Sequence, residues 1–167
     1  MLENTKIQEE QTAILVGLVH HRQTEAMVNE YLTELAFLAE TAGAIVDKNF
    51  IQKLPKPDSK TFLGKGKLEE IHTYVQAKGI NLAIFDDELT GSQIINIEKV
   101  IGIKVIDRSD LILDIFARRA KTAQAKVQVE LAQYQYLLPR LKGMWQHLER
   151  QGAGIGSRSR CCHIPLR

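Results

Sequence analysis

Apolar residues along this chain fall in short unbroken runs that alternate with stretches of helical spacing. Ala13 to Val19 (AILVGLV) is a run with no polar break, the pattern of a strand covered on both faces. Thr24 can cap a helix through Ala42, with Met27, Tyr31, Leu35 and Leu38 on one face and Gly43 as its stop. Ala44 to Ile51 reads as a second strand, followed by a polar, proline-bearing loop over residues 53–61. Gly64 to Gly66 turn into a helix from about Lys67 to Ala77, ended by Lys78 and Gly79. Leu82 to Phe85 is a third strand with Asp86, Asp87 and Glu88 at its carboxyl end. Ser92 can cap a helix through Val100, Gly102 ends it, and Lys104 to Ile106 is a short fourth strand. This alternation predicts an α/β fold over residues 1–108: a small open parallel sheet with flanking helices and right-handed crossovers.

The last third changes period. From Ser109 to about Leu138 one long helix is expected. Leu113, Phe116, Ala120, Ala123, Val127, Leu131, Tyr134, Leu138 and Leu141 follow one another at three- and four-residue steps. That is a coiled-coil seam, which calls for burial against another helix. No later segment in the sequence supplies one, so self-association through the seam is expected. The helix to Leu138 is about 45 Å long and should project from the small domain, and residues 109–141 are expected to form one half of a helical hairpin. A basic, glycine-rich loop is expected at 142–158, and a divergent tail at 159–167.

Charge sharpens this division. The net charge of +2 conceals ten Lys/Arg against Glu130 and Glu149 from Arg118 onward, a net of +8, and a net of −6 over residues 1–117. A basic tail on an acidic front points to an anionic partner, with nucleic acid the first candidate. Cys161 and Cys162, adjacent and near the C-terminus, cannot frame a disulfide scaffold, so a reducing compartment is expected. No apolar run reaches bilayer length and the N-terminus is polar, which predicts a cytoplasmic protein.

Four short motifs carry possible chemistry. Gly64, Lys65, Gly66 and Lys67 precede a helix N-terminus, where backbone N–H groups could meet a phosphate, but they lack Walker A spacing. A structural turn is the stronger reading, with nucleotide contact the weaker one. Asp86, Asp87 and Glu88 sit where an α/β sheet holds ligands, yet they fit better as caps or flanks of the next helix than as a metal site. His20 and His21 point to opposite sides and chelate poorly, and Cys161, Cys162 and His163 lack a fourth ligand at the usual spacing. The stretch 139–158 is richer. Arg140, Lys142, Arg150 and Arg158 supply cations, Trp145 and His147 supply stacking faces, and Gly152, Gly154 and Gly156 allow close backbone approach. These features suit RNA as well as they suit a solvated linker whose tryptophan packs locally.

The run from Asp107 to Arg158, together with TFLGKGKLEEI (61–71) and IFDDELTGSQIINIEK (84–99), resembles the N-terminal region of the HflX family of ribosome-associated GTPases. The resemblance covers roughly residues 13–158 and implies a stress-response translation factor that docks on the large ribosomal subunit. In that family a tip between two long helices reaches toward the peptidyl-transferase region, and GTP-driven binding separates the subunits. Carried over by position, Arg140, Lys142, Trp145, His147, Arg150, Gln151, Gly152, Gly154, Gly156 and Arg158 would contact rRNA. An ATP site proposed for the family would place Gly64 to Lys67 at the nucleotide.

Residues 159–167 depart from the family pattern, and no G-x-x-x-x-G-K-[ST] loop occurs in the sequence. The expectation is a chain truncated before the GTPase domain, with no catalytic residues, no metal site and no cofactor of its own. GTP and Mg²⁺ are expected only for the full-length family. The alternatives are an ATP-binding α/β domain and a non-functional remnant.

Overall fold

A computed structural model describes residues 11–21 and 23–152, with backbone alone for 142–152. Four strands, β1 (Gln11–Val19), β2 (Ala44–Lys53), β3 (Leu82–Phe85) and β4 (Lys104–Asp107), form one sheet in the order β2-β1-β3-β4. Every pairing is parallel, with Val16 beside Phe85 and Phe85 beside Asp107. The expected small parallel α/β sheet is what forms. No helix among the described residues is long and apolar enough to cross a membrane.

The strand order dictates where the helices go. The chain leaves β1 in one direction to reach β2, and leaves β2 and β3 in the other, so right-handed crossovers put the helices on opposite faces. Helix α1 (Glu25–Thr41) covers one face; α2 (Lys65–Lys78) and α3 (Gly91–Ile101) cover the other. Along β1 the side chains divide accordingly. Ile14, Val16 and Leu18 join the core with α2 and α3, while Ala13 and Leu15 join the core with α1 and α4 (Arg108–Arg119). Gly17 lets α1 lie close, because a Cβ there would stand 2.8 Å from Val28 Cγ1.

Local capping follows sequence chemistry closely. Thr24 caps α1, accepting from the Met27 N–H. Gly79 and Gly102 end α2 and α3 in the left-handed region. Two expectations shift by a residue or two. The cap of α3 is Thr90, not Ser92: Thr90 and Gln93 form a reciprocal capping box. In α1 the buried row is Val28, Leu32, Leu35 and Ala39, whereas Met27 stays exposed. The helix carries two neighbouring apolar rows, and the sheet selects the one that fits against Gly17.

The larger corrections lie beyond β4. The helix expected from Ser109 starts earlier, at Arg108, with Asp107 as its cap, and ends at Arg119. Ala120 is extended, with ψ at 105°. Thr122 then starts a new helix by accepting from the Ala125 N–H, a cap signal masked by the apolar spacing around it. Helix α5 (Ala123–Gly152) turns back and packs on α4 and α3. The seam is therefore divided between two helices, and α4 buries Leu111 and Ile115 in place of Leu113 and Phe116. The loop expected at 142–158 is helical through Gly152, and α5 continues through Pro139. Residues 153–158 and the tail at 159–167 lie outside the described residues.

A test of this packing is Gly17→Val, which forces a branched side chain into Val28 and Leu32. A loss of about 1–3 kcal/mol is expected, seen as a lower urea midpoint by circular dichroism. An unchanged midpoint would show that α1 does not lie as close as described.

Candidate functional site

The carboxyl ends of the strands gather the acidic residues, as they do in open parallel sheets. Asp107 ends β4 and is fully buried. Its Oδ1 accepts from the Asp110 N–H at 3.0 Å, completing the α4 cap, and its Oδ2 accepts from the Leu89 N–H at 3.2 Å. Backbone donors from the first turn of α4 and from the loop after β3 thus hold the carboxylate alongside any cation.

The cation is Arg140 of α5. Its Nη2 donates to Asp107 at 2.9 Å and to Glu88 at 3.1 Å, while Nη1 donates to the Tyr136 carbonyl at 3.0 Å. The guanidinium lies 3.5 Å over the centre of the Tyr136 ring. Burial and the interaction with Asp107 push the Tyr136 phenol well above its ordinary range, so it remains a neutral donor. The two backbones also meet here. A Cβ at Gly91 would stand 2.4 Å from the Arg140 carbonyl oxygen, so only glycine admits α5 at this point.

Asp86 and Glu88 are both paired. Asp86 accepts from Arg108 at 3.0 Å, Arg108 also meets Glu34 at 2.8 Å, and Glu88 belongs to Arg140. These contacts agree with the reading of the acidic run as helix-flanking residues. No group of three or more candidate ligands that could hold a metal occurs among the described residues.

The Gly64 to Lys67 stretch forms a helix start. Gly64 caps α2 with ordinary backbone angles, and its N–H donates to Gln52 Oε1 at 2.9 Å. Lys67 pairs with Glu70 at 2.7 Å; Lys65 and Gly66 are exposed. The helix begins at Lys65, two residues before the expected position. The preceding loop is tied to α3 by Gln93 Nε2 donating to the Asp58 carbonyl and Asn96 Nδ2 donating to the Lys60 carbonyl. Two of the four candidate groups are thus already paired.

Of the residues expected to meet RNA, the structure describes the side chain of Arg140 alone, and it is turned inward with 11% of its side chain exposed. Asp107 and Glu88 already pair with it. Lys142, Trp145, His147, Arg150, Gln151 and Gly152 occupy backbone positions on α5. Helical spacing places positions 142 and 145 on one side and positions 147, 150 and 151 on another. A single loop would have gathered them all. Gly154, Gly156 and Arg158 lie outside the described residues.

Asp107, Tyr136, Glu88 and Gly91 are what the sequence reading missed as anchors. Asp107 had a signal, since an aspartate three residues before Asp110 is a helix cap. Tyr136 and Gly91 had none, because their partners lie far away in sequence.

Comparison with known proteins follows the same division. A family model described as GTP-binding GTPase N-terminal matches residues 29–117, and one described as GTP-binding GTPase middle region matches 119–161. The junction falls beside the break between α4 and α5. The chain is 58% identical over 158 residues to the GTPase HflX of Flavobacterium psychrophilum, covering 95% of this chain and 38% of that protein. It is 43% identical over 141 residues to the GTPase HflX of Escherichia coli, covering 84% and 33%. A crystal structure of a GTP-binding protein from Sulfolobus solfataricus in complex with GDP superposes with a TM-score of 0.61 at 31% identity. That match covers 84% of this chain and 42% of the other. The chain spans about a third of the length of these curated relatives.

One titration tests the acidic edge. Burial, and then the neighbouring Asp86 charge, raise the Asp87 carboxyl above its ordinary 3.8, with His20 opposing. A carboxyl raised in the folded state favours the fold while protonated, and that contribution is lost as pH rises through the folded value. Asp87→Asn should therefore raise the urea midpoint at pH 7 and leave it unchanged below pH 3.8. Equal midpoints at pH 7 would contradict the burial of Asp87.

Proposed function

Because this chain belongs to the HflX family of GTP-binding GTPases, matching its N-terminal and middle regions, we propose that it is the ribosome-binding part of an HflX-type subunit-splitting factor, contacting rRNA through the distal third of α5. One observation carries this reading: α5 is anchored to the α/β domain at Arg140 and stays helical for a further three turns, to Gly152. That extension bears Lys142, Trp145, His147, Arg150 and Gln151, within a region of net charge +8. Cations along a helix with an aromatic among them fit a phosphate-dominated surface. Gly154, Gly156 and Arg158 extend the same candidate contact.

GTP hydrolysis belongs to the relatives by name. The 167 residues here contain no phosphate-cradling loop with its lysine and Mg²⁺ ligand, so the role proposed for this segment is recognition. GTP and Mg²⁺ would act in the GTPase part of the family's proteins. A cytoplasmic location follows from the proposed partner. Nucleotide binding at Gly64 to Lys67 is the weaker reading, given the Gln52 and Glu70 contacts already described.

The test is co-sedimentation of the purified chain with large ribosomal subunits across a salt series. Saturable binding that weakens steeply with salt is expected, with a loss of tenfold or more in a Trp145→Ala/Arg150→Ala double variant. Binding that is insensitive to salt and to both substitutions would overturn the reading.

Self-association is a second part of the proposal. Val127, Leu131, Tyr134, Leu138 and Leu141 recur at four- and three-residue steps on α5 and are between 42% and 63% exposed. The described flanking positions carry Gln128, Glu130, Gln135 and Leu137, a single charge, so two copies can pair antiparallel along this stripe without like charges meeting. A concentration-dependent dimer in sedimentation velocity, abolished by Leu131→Glu/Leu138→Glu, is the expected result. A monomer at all concentrations would contradict it.

A further inference from the structure

Helix α5 has one covalent weak point, and it coincides with the strongest contact to the α/β domain. Pro139 inside the helix withholds the N–H that would reach the Gln135 carbonyl, and its ring crowds the turn before it. Prolines of this kind bend helices by 20° or more, so internal hydrogen bonds do not by themselves set the direction of the following residues. The next residue is Arg140, held on three sides.

Asp107 and Glu88 share its Nη2, and Tyr136 lies under the guanidinium plane. The Gly91 backbone sits against its carbonyl. Asp107 is itself fixed by the N–H groups of Leu89 and Asp110, so the clamp belongs to the rigid edge of the sheet. At the other end, α5 begins after the extended Ala120 and is capped by Thr122.

Twelve residues of helix follow Arg140, a lever of roughly 18 Å. A 20° change of direction at Pro139 displaces its end by roughly 6 Å, enough to take every distal side chain out of reach of a fixed set of phosphates.

We propose that Arg140 is a positioning residue: clamped by Asp107, Glu88 and the Gly91 backbone, it sets the direction in which α5 presents positions 142–152 to an RNA surface, and it makes no phosphate contact itself. This rests on the rRNA-contacting reading above. The charge of Arg140 is spent inside the protein, and its effect on binding is exerted through geometry.

The experiment compares Arg140→Gln, Arg140→Lys and Gly91→Ala with the parent chain in the same salt series, together with a spin-label distance measurement. Labels go on Glu30→Cys in α1 and Gln146→Cys in α5, with Cys161 and Cys162 replaced by Ser. The parent should give one narrow distance distribution. Arg140→Gln and Gly91→Ala should broaden or shift it and weaken ribosome binding about tenfold, with an unchanged slope of log affinity against log salt. Gly91→Ala keeps every charge, so it isolates geometry, and Arg140→Lys should fall between.

A phosphate-contacting Arg140 would behave differently: its removal lowers the salt slope by about one, and Gly91→Ala has no effect on affinity. That pattern overturns the proposal. So does a distance distribution unaltered in folded Arg140→Gln and Arg140→Lys proteins. If the parent chain binds no ribosomes, the rRNA reading fails, and the distance distributions alone decide whether the clamp directs the helix.

Discussion

A carboxylate with no exposed surface must be met by donors from several sides, and Asp107 collects them from three parts of the chain. The Asp110 N–H comes from its own helix, the Leu89 N–H from the loop after β3, and the Arg140 guanidinium from α5. Leaving such a group unpaired costs several kcal/mol. The arrangement is therefore cooperative: β4 must end at Asp107 for α4 to be capped, and α5 must fold back for the charge to be answered. The return of the helical arm onto the α/β domain hinges on this one buried charge.

The sheet decides why the charge sits there. With strands in the order β2-β1-β3-β4 and every pairing parallel, all the βα loops that carry side-chain chemistry meet at one edge. Asp86 follows β3 and Asp107 ends the neighbouring β4; they face Arg108 and Arg140 respectively, so these two carboxylates are paired by cations that come later in the sequence. The basic surplus left over starts at Arg118 and Arg119 of α4 and continues through Lys126, Lys142 and Arg150 of α5 toward the C-terminus. An acidic domain thus carries a basic arm anchored at its midpoint, the division that charge counting indicates and the fold makes physical.

The apolar stripe of α5 and its docked side are different rows of the same helix. Tyr136 and Arg140, four residues apart, turn toward the domain, while Leu131, Tyr134 and Leu138 stay open. The regular seam spacing is real, and it is what hid the break at Ala120 to Thr122. Apolar spacing continues straight through the turn although Phe116 before it and Val127 after it both stay exposed. The Thr122 cap outweighs the spacing by giving the backbone a specific place to restart.

What the sequence by itself determined was everything governed by near neighbours. The four strands, their parallel arrangement, Thr24 as a cap and Gly79 and Gly102 as stops follow from residue types acting over a few positions, as does the basic arm. Family membership was legible for the same reason, in stretches such as 61–71 and 84–99. What only the tertiary structure decided depends on residues far apart in the chain. Val28 and Leu32, not Met27 and Tyr31, became the buried row of α1 because Gly17 lies beneath them. Arg140 looked like a surface cation until a carboxylate 33 residues away claimed it. Gly91 carried no signal of its own, and only the arrival of another helix gives its missing side chain a purpose. Local propensity cannot encode these choices, since each is the energy of a contact whose second partner is chosen by the fold.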